Sequence, residues 1–176
     1  MNSATAARLI LSCTAFAVIP SANAAVANGT FQVLITITKS CTVTAGAASN
    51  INLGSVAASA VNTSQSNTFT VNCSKATPYF IGLAPSAANG GTTTGSGAMS
   101  SVLNFATNTD KVPYQLNQTS ATGPVWGNTA TTTTVGNGVA GLGTGLAISY
   151  TVYATAASAN YTPDSYADTV TVNVNY

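Results

Sequence analysis

Residues 168–176 read Asp-Thr-Val-Thr-Val-Asn-Val-Asn-Tyr. Val170, Val172, Val174 and Tyr176 share one side of this run, with Thr and Asn between them. A period of two is that of a strand with one face buried and the other solvated. The same period recurs near the other end of the chain. Residues 30–38 read Thr-Phe-Gln-Val-Leu-Ile-Thr-Ile-Thr, which puts Phe31, Val33, Ile35 and Ile37 on one face and Gln32, Leu34, Thr36 and Thr38 on the other. Asn28-Gly29, just before, is a turn or hinge signal.

Between these ends, short β-branched or alternating runs predict strands at 41–44, 51–54, 68–73, 79–83, 102–105, 112–116 and 146–153. Gly54 marks a bulge or bend in the second of these. The breakers fall between the runs. Residues 85–97 are rich in Gly, Ser, Asn and Thr, and Asn89-Gly90-Gly91 signals a tight turn. Residues 136–145 read as a second flexible loop, and the threonine run 131–134 as a strand edge or loop, with a glycan acceptor as the alternative. No stretch after residue 24 keeps a 3.6-residue period over ten residues, and no repeat of 20–50 residues is visible. Many short strands with Gly, Pro and Asn turns predict an all-β sandwich.

Composition narrows the function. The chain has 176 residues, 45% hydrophobic and 4% charged, with no histidine. It lacks the basic excess that phosphate neutralisation needs, so no nucleic-acid partner is expected. The acidic groups are Asp110, Asp164 and Asp168 alone. Without His or Glu, the usual acid–base and metal-ligand inventory is nearly empty, so no catalytic site, metal or cofactor is expected. Asp164 and Asp168 flank a turn beside Pro163, a poor start for paired carboxylates facing across a cleft. A Ser–Lys pair using Lys39, Lys75 or Lys111 has no local support. Trp126, in Gly-Pro-Val-Trp-Gly, reads as a core or loop anchor, with an exposed sugar-stacking platform as the alternative.

Residues 1–24 read as a secretory signal peptide. Arg8 precedes an apolar run from Leu9 to Ile19, and Ala22-Asn23-Ala24 offers a small-residue cleavage site. The run is too short to cross ~30 Å of hydrocarbon as a helix. Removal takes Cys13 and Arg8 with it, leaving three lysines against three aspartates. Cys41 and Cys73 remain, and in an exported chain they suggest one disulfide, with two buried thiols as the alternative.

The segment 25–38 has two readings. It is an ordinary first strand, or a strand that leaves its own domain and completes another subunit. An exposed apolar strand is an aggregation hazard, and donation to a neighbour turns that hazard into head-to-tail assembly.

The chain resembles the spore coat protein U domain family, which includes pilin subunits of archaic chaperone–usher pili. Three passages carry the resemblance: Phe31 to Ile37 running into Lys39-Ser40-Cys41-Thr42-Val43; Phe69-Thr70-Val71-Asn72-Cys73; and Tyr166-Ala167-Asp168 through Tyr176. Pro-Tyr-Gln-Leu at 113–116 and Trp126-Gly127 are weaker landmarks. The resemblance implies an incomplete immunoglobulin-like β-sandwich at 39–176, completed by donor-strand exchange. It implies that Phe31, Val33, Ile35 and Ile37 are donor residues and that Cys41 and Cys73 pair. It further implies that Val170, Val172, Val174 and Tyr176 border the acceptor groove and meet a periplasmic chaperone. The implied partners are that chaperone, an outer-membrane usher and other copies or sister pilins.

The function expected on this reading is that of a surface pilus subunit supporting adhesion and biofilm formation, periplasmic during assembly and then extracellular. The alternative is a coat protein of the same fold that forms no ordered fibre. The short stretch between Ala24 and Cys41 leaves no room for a separate adhesin domain ahead of the sandwich. So little charge implies few electrostatic contacts between subunits.

Overall fold

Alternation decides where strands lie, and partners decide which of them join a sheet. The computed structural model describes residues 24–176, so residues 1–23 of the signal-peptide reading lie outside the described residues. The strands are β1 (Cys41–Thr44), β2 (Val61–Cys73), β3 (Pro78–Pro85), β4 (Ser96–Ser101), β5 (Lys111–Asn117), β6 (Val139–Leu142), β7 (Ala147–Ser158), β8 (Tyr166–Ala167) and β9 (Val170–Asn175). Two short 3₁₀ turns, Ala47–Ser49 and Ala87–Asn89, are the helical elements among the described residues. The fold is all-β.

Six strands form one sheet in the order β1-β2-β7-β5-β4-β8, and three form a second in the order β6-β3-β9. All their ladders are antiparallel. The core lies between the sheets. Phe69 and Val71 of β2, Tyr79, Ile81 and Leu83 of β3, Leu116 of β5 and Val152 of β7 are buried in it, each two residues from the next on its strand. Trp126 belongs to this core: it is 1% exposed, and its indole N–H donates to the Ile81 carbonyl at 3.0 Å. The stacking-platform alternative is thereby excluded.

Cys41 and Cys73 sit directly opposite each other on β1 and β2 and are joined in a disulfide. The bond ties an edge strand of four residues to the buried end of its interior neighbour β2. It closes a separation of 32 residues, worth about 3–4 kcal/mol in the chain-entropy account. Reduction of the folded subunit is expected to lower its urea midpoint and to raise m, because the uncrosslinked denatured chain exposes more surface, measured by unfolding with and without dithiothreitol.

Three expectations change. Residues 51–54 join no ladder, although Ile51 and Leu53 pack against the core with the expected period. The Asn52 side chain accepts the Gly54 N–H at 2.9 Å, and Gly54 has φ 84°, so the run ends in a turn. Residues 102–105 form a bend, not a strand, with Leu103 70% and Phe105 76% exposed. Conversely, β6 lies inside the stretch 136–145 that reads as loop, and β4 starts at the end of the 85–97 loop and runs through residues to which the pattern assigns no strand. Their Gly, Ala and Ser carry little hydrophobic period, yet close packing requires them. A Cβ on Gly97 would lie 2.6 Å from the Tyr114 hydroxyl and 2.7 Å from Pro85 Cβ.

The division of the chain into two units falls between Thr36 and Ile37. Residues 24–40 belong to no ladder and are exposed throughout.

Candidate functional site

The second sheet stops early. Sheet one has six strands and sheet two has three, so part of the inner face of the first has no strand opposite it. The result is an open groove of about 830 Å³ between the sheets. Its walls include Phe69 of β2, Val152 and Ala154 of β7, Tyr114 and Leu116 of β5 and Met99 of β4 on one side. Leu83 of β3 and Val170 and Val172 of β9 line the other, and Ile51 and Leu53 close the margin.

β9 pairs with β3 alone, so its outer edge has no ladder partner among the described residues. Native sheets protect such edges with charge, proline, bulges or shortness. The edge strands β1 and β6 have four residues each and β8 has two. β9 has six, Val-Thr-Val-Asn-Val-Asn, with neither charge nor proline. Val170, Val172 and Val174 pack on the core but are only half-buried, as inward residues are beside a missing neighbour. Tyr176 lies past the end of β9 and is 45% exposed.

The other half of the arrangement is the segment before β1. Phe31, Val33, Ile35 and Ile37 are 82–88% exposed, and no ladder includes them. Four large apolar side chains at period two, all in water, form an unsatisfied strand face.

Three aspartates cross-link turns and loops, and one of them, Asp168, lines the groove. Asp168, two residues before β9, accepts the Tyr114 hydroxyl at 2.7 Å and the Asn89 amide at 2.8 Å. This joins β5, the second 3₁₀ turn and the start of β9. Burial, reinforced by the bond to Asp168, pushes the Tyr114 phenol well above its ordinary range, so it stays a neutral donor. Asp164 accepts the Ser101 hydroxyl at 2.6 Å and the Asn108 amide at 2.9 Å. Those two bonds, with smaller help from the Ser165 backbone N–H and Asn104, hold its carboxyl at about 2, below the usual carboxylate range. Asp110 is lowered too, first by the Thr162 backbone N–H at 2.9 Å and then by its hydroxyl at 2.7 Å. All three carboxylates thus serve as acceptors for neutral donors.

The sign of the pH dependence follows. A carboxylate with a depressed folded-state pKa stabilises the fold above its unfolded pKa, and that contribution is lost as pH falls through the folded value. Stability is expected to be flat above pH about 5 and to decline from about 4 toward about 2, read by thermal unfolding across that range. In Asp164→Asn the decline should be shallower.

The groove lining was only partly visible in the sequence. Val170, Val172, Val174 and Tyr176 were expected to border it; the first two line it and Val174 and Tyr176 do not, while Met99, Tyr114 and Leu83 line it without having been expected there. Those residues come from three different strands, and only the fold brings them together.

A family model, the Spore Coat Protein U domain, matches residues 27–173. Among solved structures, a similar chain is found in the CsuC–CsuE chaperone–tip adhesion subunit pre-assembly complex from the archaic chaperone-usher Csu pili of Acinetobacter baumannii. The TM-score is 0.53 at 20% identity, over 81% of this chain. This chain spans 41% of that one, and at such identity the likeness concerns the fold. Comparison with curated proteins gives no match.

Proposed function

This chain belongs to the Spore Coat Protein U domain family, a structural and not an enzymatic one, and from that premise we propose that it is a subunit of a chaperone–usher surface pilus. The observation that carries the reading is the pairing, in one chain, of a groove lacking a strand with a strand lacking a sheet. Phe31, Val33, Ile35 and Ile37 of one subunit enter the groove of another, while their backbone pairs with the free edge of β9. This is β-strand addition, in which main-chain hydrogen bonds give affinity and alternate side chains give specificity. Burial of four large apolar side chains contributes about 6–12 kcal/mol before the cost of ordering the segment.

A subunit with an open groove needs a temporary occupant. A periplasmic chaperone fills that role along β9, in the groove that includes Val170 and Val172, until exchange at an outer-membrane usher. The disulfide fits an oxidising compartment outside the cytoplasm. Adhesion and biofilm support follow from the fibre. Because so few side chains are charged, the fibre should survive high salt as well as it survives low salt.

A peptide covering residues 27–38, added to protein that lacks residues 25–38, tests the groove directly. Binding to the folded state raises the unfolding temperature with the logarithm of the ligand excess over Kd. The expected result is an upward shift of several degrees with the native peptide and none with Ile35→Asp. Equal shifts, or none with either, would contradict the proposal.

A further inference from the structure

The strand ladders define two ends of the sandwich. At the first, Cys41 faces Cys73, Ala147 faces Asn72 and Leu142 faces Pro78. Ser40 is held there by the 74–77 turn: its carbonyl accepts the Ser74 N–H at 2.9 Å, and its own N–H donates to the Ser74 hydroxyl at 3.1 Å. The N-terminal segment therefore joins the sandwich at this end. At the second end, Val61 faces Ser158, Ser100 faces Lys111 and Pro85 faces Val170.

Each end carries exposed apolar side chains. At the first, Leu142 is 59% and Leu146 72% exposed. At the second, Val102, Leu103 and Phe105 protrude on the bend between β4 and β5. That bend is held in place. The Val102 N–H donates to the Ser165 carbonyl at 2.9 Å, and the Asn104 N–H to the buried Ser101 hydroxyl at 3.1 Å. The Asn104 carbonyl accepts from Thr107 and Asn108. The charges nearby are engaged or peripheral. Asp110 is bound by Thr162, Lys111 donates to Asn89 and Ser100, and Lys75 sits exposed in the 74–77 turn.

We infer that consecutive subunits make a second contact, in which the 102–105 bend of one copy packs against Leu142 and Leu146 of the next. This rests on the strand-exchange reading and deepens it. β9 runs from the second end toward the first. A donor strand pairing antiparallel to it, as every ladder in this fold does, runs from the first end to the second. Thr38 of the donor then arrives at the acceptor's second end. The step from Thr38 to Cys41 reaches at most about 11 Å. The donor subunit's first end, with Leu142 and Leu146, must therefore lie beside the acceptor's 102–105 bend. Such a short tether gives a high effective concentration, so a small apolar patch suffices, and the held bend carries little ordering cost. A head-to-tail contact of this kind repeats along a fibre without closing.

The test uses assembled fibres of a Leu103→Cys/Leu146→Cys variant treated with a short bismaleimide and then boiled in SDS. The two sites are exposed, so the fold should tolerate the changes, and an unboiled gel checks that fibres formed. The expected result is a covalent ladder surviving boiling in the double variant, with each single variant giving monomer. Adding Phe105→Asp to the double variant should reduce the ladder several-fold. A heat-labile fibre with no covalent ladder would overturn the end contact and leave strand exchange standing. Dimers from Leu146→Cys alone would also overturn it, because they place first end against first end. Absence of any heat-labile fibre, in wild type as well, would overturn the strand-exchange reading and this contact with it.

Discussion

Ile35→Asp leaves a folded subunit that binds its chaperone and does not polymerise. Ile35 lies at the middle of the donor face, between Val33 and Ile37. Its own fold does not depend on it, because the side chain is 85% exposed in the single chain. Insertion would lose the burial of one Ile, about 1.5–3 kcal/mol, and would carry a carboxylate into an apolar groove at a further cost of several kcal/mol. Since about 1.4 kcal/mol is tenfold, the insertion equilibrium falls by about a thousandfold or more. On the proposed reading the chaperone meets the subunit's own groove, whose walls do not include Ile35, so that complex should persist. Co-purification with the chaperone and an unboiled gel of surface material measure the two arms. Gln32→Asp is the control: the same charge on the opposite face of the strand should polymerise. Wild-type fibre yield from Ile35→Asp would contradict the donor assignment.

Trp126→Ala has the largest expected effect on the fold. The side chain is 1% exposed and stands 5.7 Å, centroid to centroid, from Phe69. Its N–H satisfies the buried Ile81 carbonyl, and the neighbouring Gly127 carbonyl accepts the Leu83 N–H at 2.9 Å. The segment around Trp126 thus serves β3 on the side away from β9. Truncating a buried Trp costs about 3–5 kcal/mol, and loss of its hydrogen bond to the Ile81 carbonyl adds about 1 kcal/mol. Against a typical total of about 5–15 kcal/mol, a sandwich already short of one strand should not stay folded at 37 °C. Thermal unfolding of the chaperone-free subunit measures this. Trp126→Phe keeps most of the apolar volume and should retain a cooperative transition at lower temperature. An unchanged transition in Trp126→Ala would contradict the core role.

Strands built from alternating β-branched and aromatic residues were legible before any coordinates. β3, β9 and the stretches 68–73 of β2 and 147–153 of β7 announce themselves by their alternating apolar residues, whereas residues 61–67 and 154–158, rich in Ser, Thr, Asn and Ala, do not read as strand. β4 and β6 were illegible for the opposite reason: small residues fit against Tyr114 and Tyr79 by being small, and small residues carry no period. Residues 102–105 misled by composition. Val102 and Leu103 are both apolar and adjacent, with no alternation, and they sit exposed.

The donor segment shows a deeper limit. Its period is as clean as that of β9, yet a period states only that one face seeks burial. It does not state whether the burying surface belongs to the same chain. In the structure residues 24–40 join no ladder and β9 has a free edge, and the strand-exchange proposal rests on these two observations. Asp168 was legible as a turn residue next to a strand. Its bond to Tyr114, 54 positions away, was not.

The central claim is that the strand missing from each sandwich is supplied by the segment 25–38 of another copy. Surface material sheared from cells making this protein, run on SDS–PAGE with and without boiling beside a version lacking residues 25–38, tests it most directly. A strand buried along a whole groove exchanges slowly, so an unboiled fibre should resist SDS. The account predicts a ladder of multimers that collapses to monomer on boiling and is absent from the truncated protein. Monomer in both unboiled lanes would contradict it and would favour a coat protein of the same fold that forms no ordered fibre.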